Sequence, residues 1–348
     1  MRVLVTGGDG YIGSHACQRL LRDGHYVVAM DNLFRGHAEP MEMLKAAHPE
    51  SFAFVHSDLG DADRVLHTID GHQIDTVMHF GAVAYVGESV EDPLWYYKNN
   101  IGAGIGLLEG CDRARGGRGV ERFIFSSSCA TYGDPPAGMI PVPEDCPQSP
   151  TSPYGYTKLH FEHILKDYAT KRAMENNPIA LTMLRYFNVA GSDRSGMLGE
   201  DHSPETHLVP VAIHAAMGKR DGMSIFGTDY PTADGTCVRD YVHVEDLIDA
   251  HTRAMEQIKP GMVEAFNVGI GTGYSVRQIL DSVKRVSGVD FAVHETGRRA
   301  GDAIALYNDP TKIKRVLGWD AAITDIDEVV SSAYAWMKSN PNGYDNRS

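Results

Sequence analysis

The sequence predicts an α/β fold in which a doubly wound parallel sheet is joined by a smaller C-terminal region. Three observations carry this. Short β-branched runs alternate with longer segments of helical period from the start of the chain. A glycine-rich turn joins the first strand to the first helix. After about Asn188 the texture shifts to stretches rich in Gly, Asp and Pro, with shorter helices between them.

Arg2–Thr6 reads as the first strand. Ile12, Ala16 and Leu20 lie at i, i+4 and i+8 and form the apolar stripe of a helix that stops at Gly24. Further strands are expected at 25–30, 52–56, 76–80, 122–125 and 180–184, with long helices at 93–111 and 154–176. A strand at 265–268, followed by a helix from Ser275, brings the chain back into the first sheet. The first domain is therefore drawn over 1–188 with re-entry at about 236–270, and the second mainly over 189–348. The polar tail from about Ser339 is expected to fray.

A length of 348 residues suggests about two domains. Apolar residues at 43% and charged residues at 22% are ordinary for a soluble globular protein. The net charge of −14 argues against a nucleic-acid partner, which needs Lys and Arg to neutralise phosphates, but leaves room for one anionic small molecule. Cys17, Cys111, Cys129, Cys146 and Cys237 are scattered and odd in number, so neither a disulfide framework nor a zinc site is indicated. A reducing compartment fits them. The opening MRVLVTGG is too short for a signal-peptide core, and no run approaches a membrane span. A cytoplasmic protein without a membrane partner is expected. No metal is expected either: His160 and His163 read as a solvated helix face, and His79 and His243 as hydrogen-bonded structural residues.

Thr6-Gly7-Gly8-Asp9-Gly10-Tyr11-Ile12-Gly13 sits where the first strand hands over to a helix. Gly7, Gly10 and Gly13 allow the close backbone approach that a pyrophosphate needs at a helix N-terminus, where the N–H groups of Tyr11 and Ile12 also lie. A tight βα turn favours glycine as well. Asp31 ends the second strand, close to the ~20 residues downstream at which a carboxylate accepts from a ribose 2′-hydroxyl. Such a carboxylate repels a 2′-phosphate, which favours NAD over NADP, although nearby Arg35 pulls the other way.

Ser126, Ser127 and Ser128 follow the fifth strand, and Tyr154 and Lys158 share one face of the next helix at i and i+4. A tyrosinate is a fitting base for an alcohol that is oxidised to a ketone. Bringing a phenol from near 10 to near 7 takes roughly 4 kcal/mol. One ammonium at ~4 Å in an effective dielectric near 20 supplies about that much. Tyr156 has His160 at the equivalent offset and lacks the cation.

At these residues the chain resembles the extended short-chain dehydrogenase/reductase superfamily and, within it, the UDP-galactose 4-epimerases over nearly its whole length. The matching blocks are GGDGYIGSH, HFGAVAYVGESVEDPLWYYKNN, FIFSSSCATYGD, SPYGYTK, LRYFNVAGS, FGTDYPTADGTCVRDYVHV and RRAGD. The resemblance implies a Rossmann-type NAD domain and a smaller sugar-nucleotide domain. It implies that Ser128 and Tyr154 handle the hydroxyl proton and that Lys158 tunes Tyr154. Gly7, Gly10, Tyr11, Ile12, Gly13, Asp31, Asn32, Asp58, Leu59, Phe80, Asn99, Ser126 and Tyr186 would line the NAD site beside Tyr154 and Lys158. Phe187, Asn188, His207, Leu208, Phe226, Arg239, Arg299, Asp302 and Leu306 would hold the UDP-sugar, together with Ser128. The arginines suit a diphosphate, because each presents several charge-assisted donors in a fixed fork; a surface ion pair of Arg239 with Asp240 is the alternative reading.

The implied reaction is inversion at C4 of a UDP-hexose through a 4-keto sugar, by a homodimer joined through its two long helices. Three positions depart from the pattern. Ala84 stands where many members carry a lysine near the cofactor, His207 where an asparagine often contacts substrate, and Leu306 where a tyrosine limits sugar size in some members. The last implies room for an N-acetylated hexose. The nearest alternative is a UDP-xylose/UDP-arabinose 4-epimerase, whose members carry similar blocks. A 4,6-dehydratase would need an extra acid and base where Cys129 and Ala130 stand. A non-catalytic cofactor sensor would have no need of Tyr154 and Lys158.

Overall fold

The computed structural model describes residues 1–299 and 303–346. The chain forms two compact units. Unit 1 comprises Met1–Gly133, Gln148–Arg185 and Ile248–Phe266, and unit 2 comprises Asp134–Pro147, Tyr186–Leu247 and Asn267–Ser348.

Unit 1 alternates strand and helix: β1 (Arg2–Thr6), α1 (Tyr11–Arg22), β2 (Tyr26–Asp31), α2 (Ala38–Ala47), β3 (Phe52–His56), α3 (Ala62–His72), β4 (Thr76–His79), α4 (Val86–Glu91), α5 (Pro93–Tyr97), α6 (Ala103–Gly117), β5 (Arg122–Ser128), α7 (Pro153–Met174) and β6 (Ala180–Tyr186). The rest runs β7 (Asn188–Ala190), α8 (Leu208–Ala216), β8 (Met223–Phe226), β9 (Val238–His243), α9 (Val244–Gln257), β10 (Val263–Val268), β11 (Gly273–Ser275), α10 (Val276–Ser287), β12 (Val293–Thr296), β13 (Ala305–Leu306), α11 (Thr311–Leu317) and α12 (Ile326–Ser339).

The main sheet has seven strands in the order β10-β6-β5-β4-β1-β2-β3. Val3, Leu4, Val5, Val27, Val28 and Val77 are all fully buried, as strands covered on both faces require. On one face, Val65 and Ile69 of α3 and Leu107 and Cys111 of α6 pack against Leu4, Val28, Val77 and Phe123. The order reverses between β1 and β4, both parallel to their neighbours. Thr6 is level with Met30 and His79, and His79 with Phe125, so the carboxyl ends of β2, β1, β4 and β5 form one row. In a doubly wound sheet that row, at the switch point, is where ligands bind.

The structure differs from the sequence reading in three places. The helix expected at 93–111 is three pieces, because a π turn over Lys98–Gly102 separates α5 from α6. That turn carries Asn100 inward, where its amide bonds both backbone groups of Val83 and reaches Thr157 Oγ1 at 3.0 Å. The stretch that returns to unit 1 is 248–266, which holds the first part of β10. β9 belongs instead to a four-stranded sheet, paired with β7, β11 and β13. The tail beyond α12 does not simply fray: Tyr344 is buried, and its hydroxyl donates to Gly199 O. Among the described residues no helix is long and apolar enough to cross a membrane.

Candidate active site

The glycine turn between β1 and α1 is shaped by close approach. Gly7 has φ +71°, and a Cβ there would lie 2.5 Å from Gly81 N; a Cβ on Gly13 would lie 1.9 Å from Gly7 O. At Gly10 a Cβ would meet only Gly7 O at 3.5 Å, so that face of the turn is open. Gly10 is the N-cap of α1 and provides no capping side chain, and no acid stands in the first helical turn. The N-terminal N–H groups of α1, which include those of Tyr11 and Ile12, are thus presented to an anion.

Asp31, Asp58, Phe80 and Ser126 stand at or just beside the carboxyl ends of β2, β3, β4 and β5. Asp31 Oδ1 accepts from Leu33 N at 3.1 Å. Asn32 donates to Asp58 Oδ2 at 3.0 Å, and Asp58 Oδ1 accepts from Gly60 N. Leu59 packs over Gly81. The Phe80 ring lies 4.9 Å from that of His251, and Asn99 donates to Trp95 O. Tyr186, at the end of β6, falls in unit 2. Arg35, the counter-signal for NAD, is engaged elsewhere: it pairs with Glu88 and lies over the Tyr85 ring.

Ser126, Ser127 and Ser128 end β5, all at least nine-tenths buried. Ser128 caps the short turn Cys129–Thr131 by accepting from Ala130 N at 3.1 Å. Ser152 caps α7, with Pro153 in its first turn. A Cβ on Gly155 would lie 2.6 Å from Ala130 O, so glycine lets α7 start against that turn. Tyr154 is thereby packed among Val83, Tyr96 and Ala130, and its carbonyl accepts from Thr157, the residue that Asn100 holds.

Lys158 is 3% exposed and donates to Ser126 O at 2.8 Å. Its Nζ lies 5.9 Å from the Tyr154 ring centroid, and burial pushes its ammonium down to about 7. A cation beside the ring favours the phenolate over the phenol. The positive N-terminus of α7 acts in the same direction. The Ser126 hydroxyl is buried without a hydrogen-bond partner among the described residues. An orphaned buried donor, an open glycine cradle and a ribose-type acid within unit 1 fit a dinucleotide carrying an amide-bearing ring.

Two features here were missed from sequence. Glu162, one turn beyond Lys158 on α7, is fully buried and takes Ser127 Oγ at 2.6 Å and Arg185 Nε and Nη2 at 2.8 and 2.7 Å. Burial raises the Glu162 carboxyl, but Arg185 and Ser127 outweigh it and hold it below the ordinary range. Asp9 lies buried inside the glycine turn; burial first, and then neighbouring Asp31, push its carboxyl up to about 10. Neither signal is local: Arg185 is 23 residues from Glu162, and Asp31 lies on the next strand.

In unit 2, Asn188 begins β7 and pairs with Tyr241 of β9. Phe187 is buried, and its N–H donates to Val268 O. Arg239 stands on β9 opposite Leu306 of β13, and its guanidinium donates to Val238 O and Ala303 O. Asp240 is not the surface partner that the alternative reading supposed. It is fully buried, and its carboxylate accepts from the N–H groups of Ile270, Gly271 and Asn308. Arg299 lies over the exposed Phe226 ring at 5.5 Å. His207 is the N-cap of α8 and Leu208 its first residue. Asp302 lies outside the described residues. His79 and His243 bond Thr6 and Ser332, respectively. His160 and His163 are exposed. The expectation of no metal overlooked a group formed by Glu200, His202, Glu205 and His207, which converge in the loop before α8.

The NAD dependent epimerase/dehydratase family model matches residues 3–269. A UDP-glucose 4-epimerase of Lactobacillus helveticus is 44% identical over the whole of both chains. UDP-arabinose 4-epimerase 1 of Arabidopsis thaliana is also 44% identical, over 98% of this chain and 80% of that one. Among solved structures, the UDP-glucose-4-epimerase of Stenotrophomonas maltophila with bound NAD and formylated UDP-arabinopyranose superposes with a TM-score of 0.91 at 36% identity, covering 98% of this chain and 99% of that one. With its glycine turn, its Tyr154–Lys158 helix and this likeness along its full length, the chain belongs to the NAD dependent epimerase/dehydratase family.

Proposed function

We propose that this chain is an NAD-dependent UDP-sugar 4-epimerase that interconverts UDP-glucose and UDP-galactose. The observation that carries the reading is the buried Tyr154–Lys158 pair, whose lysine donates to Ser126 O near the carboxyl end of β5. Gly7, Gly10, Gly13, Asp31, Asp58 and Ser126 would hold the dinucleotide, with Tyr11, Ile12, Asn32, Leu59, Phe80, Asn99 and Tyr186 around them. NAD, when bound, supplies the reversible hydride acceptor that makes inversion through a 4-keto sugar possible.

The chain's own residues manage the proton and the tether. Tyr154 takes the 4-hydroxyl proton and returns it, and Ser128 hydrogen-bonds the same oxygen. Lys158 favours the phenolate through its charge and is itself positioned by Ser126 O. For the nucleotide, Arg239 and Arg299 suit the diphosphate, Phe226 offers a flat apolar face, and Phe187, Asn188, His207 and Leu208 complete the set. Holding the diphosphate firmly and the hexose loosely lets either face of the keto sugar be reduced.

A second reading, a UDP-xylose/UDP-arabinose 4-epimerase, is favoured by the Arabidopsis relative at equal identity. Leu306, in place of a larger ring, favours tolerance of an N-acetylated hexose. Purified protein incubated without added cofactor with UDP-glucose, UDP-xylose and UDP-N-acetylglucosamine in turn tests all three. UDP-galactose as the fastest product supports the first reading, UDP-arabinose as the fastest product supports the second, turnover of UDP-N-acetylglucosamine supports the tolerance of Leu306, and no product from any sugar contradicts all three.

We also propose a cytoplasmic homodimer. Val86, Val90, Leu94, Ile105 and Tyr156 expose apolar side chains on α4 to α7, and the five cysteines are free thiols.

A further inference from the structure

The loop before α8 places two histidines and two glutamates with the spacing Glu200-x-His202-x-x-Glu205-x-His207. His202 Nδ1 lies 3.2 Å from Glu200 Oε1 and 3.4 Å from Glu205 Oε2. His207 Nδ1 lies 2.8 Å from Glu200 Oε1 and 3.2 Å from Glu205 Oε1. One donor atom from each of the four residues falls within 4.8 Å of the other three. Both Nδ1 atoms are buried, and the carboxylates are only 5% and 6% exposed. Glu205 is further oriented by the N–H groups of Thr206 and His207, at 2.7 and 2.8 Å.

We propose that Glu200, His202, Glu205 and His207 form a structural zinc site in unit 2. Zinc binds imidazole nitrogen at about 2.0–2.1 Å and carboxylate oxygen at about 2.0–2.2 Å, in tetrahedral geometry. Tetrahedral ligands at those lengths stand about 3.3–3.5 Å apart; His202 lies at 3.2 Å from Glu200 Oε1 and 3.4 Å from Glu205 Oε2, and His207 at 3.2 Å from Glu205 Oε1, so either Glu205 oxygen is within ligand-to-ligand distance of one imidazole. Charge agrees as well. Two neutral imidazoles and two carboxylates balance one divalent cation, which leaves a neutral centre whose outer ligand, His207, is 43% exposed. Nitrogen and oxygen ligands without thiolate favour zinc over the softer Cu(I), and two imidazoles favour it over calcium or magnesium. All four ligands supplied by protein make the site a closed one, so its role is to pin the 200–207 loop to the start of α8. The alternative is an ion-pair cluster, in which both imidazoles are protonated and held by the same glutamates.

Elemental analysis separates the two. Protein stripped with a chelator and then titrated with zinc chloride is expected to retain about one zinc per chain after desalting. Its Tm is expected to rise by about 5 °C or more over the stripped form. Substitution with Co2+ should give the intense visible bands of a tetrahedral ion. His202→Ala and Glu205→Gln should each lose the retained metal and the Tm response. Wild-type protein that keeps no zinc after desalting and shows no Tm response overturns the proposal and leaves the protonated cluster. Zinc retained equally by both variants overturns it too. If His202→Ala does not fold, Glu205→Gln and the wild-type titration still decide.

Discussion

Asp9 lies inside the turn that the glycines open, where an ionised carboxylate would oppose a pyrophosphate. Burial and Asp31 push it from an ordinary value of 3.8 up to about 10, so the folded protein keeps it neutral at physiological pH. A raised folded value means that this group's contribution to stability is whole below about pH 4 and falls as pH rises toward 10. Asp9→Asn is therefore expected to raise Tm at pH 8 by at least ~2 °C and to change little at pH 3.5, as followed by thermal melts. Lys158 has the opposite sign. Burial lowers its ammonium to about 7, so the stability it contributes is present above its unfolded value of 10.5 and lost as pH falls through 7. Lys158→Met should gain in Tm at pH 6 relative to wild type while losing roughly 100-fold or more in turnover. A variant that is both less stable at pH 6 and fully active would contradict the assignment.

At the scale of elements, α7 and β5 are locked together by Glu162, which joins Ser127 to Arg185 across a fully buried ion pair. Removing one partner of such a pair costs about 3–5 kcal/mol, because the other charge is left uncompensated. Glu162→Gln should lower Tm by roughly 5–15 °C, measured by calorimetry, and the loss should exceed that of any exposed Glu→Gln change. This lock was not legible in the sequence, since its members are far apart and each is ordinary alone. The elements themselves were legible. Arg2–Thr6 and Phe52–His56 have the bounds their patterns predict, because β-branched runs end where polar residues begin. Helix α7 begins at Pro153, within one residue of the expected start. The π turn at Lys98–Gly102 was hidden, because apolar period does not report where one buried asparagine pulls a helix inward. The Glu200–His207 loop likewise read only as Gly- and Pro-rich texture, since its convergence depends on backbone folding that composition does not encode.

Across the whole molecule, the strand–helix alternation implied the seven-stranded sheet, and the glycine turn marked the strand ends that gather Asp31, Asp58, Phe80 and Ser126. The assignment of β9 to a second sheet was not legible, because a lone strand's pattern does not name its partner. The exposed apolar side chains of α4 to α7 also belong to this scale. Val90 and Leu94 are 64% and 80% exposed, and a face of this kind is covered by a second copy in the proposed dimer. Leu94→Glu should shift the mass measured by light scattering from two chains to one; a wild-type protein that is already monomeric contradicts the dimer. The central claim is that Tyr154 is the group that moves the sugar hydroxyl proton. The direct measurement is the rate of UDP-sugar interconversion by Tyr154→Phe, alongside the NAD released from the same sample by denaturation. A rate lowered by roughly 100-fold or more with NAD content unchanged is the predicted result, and a rate equal to wild type would contradict the account.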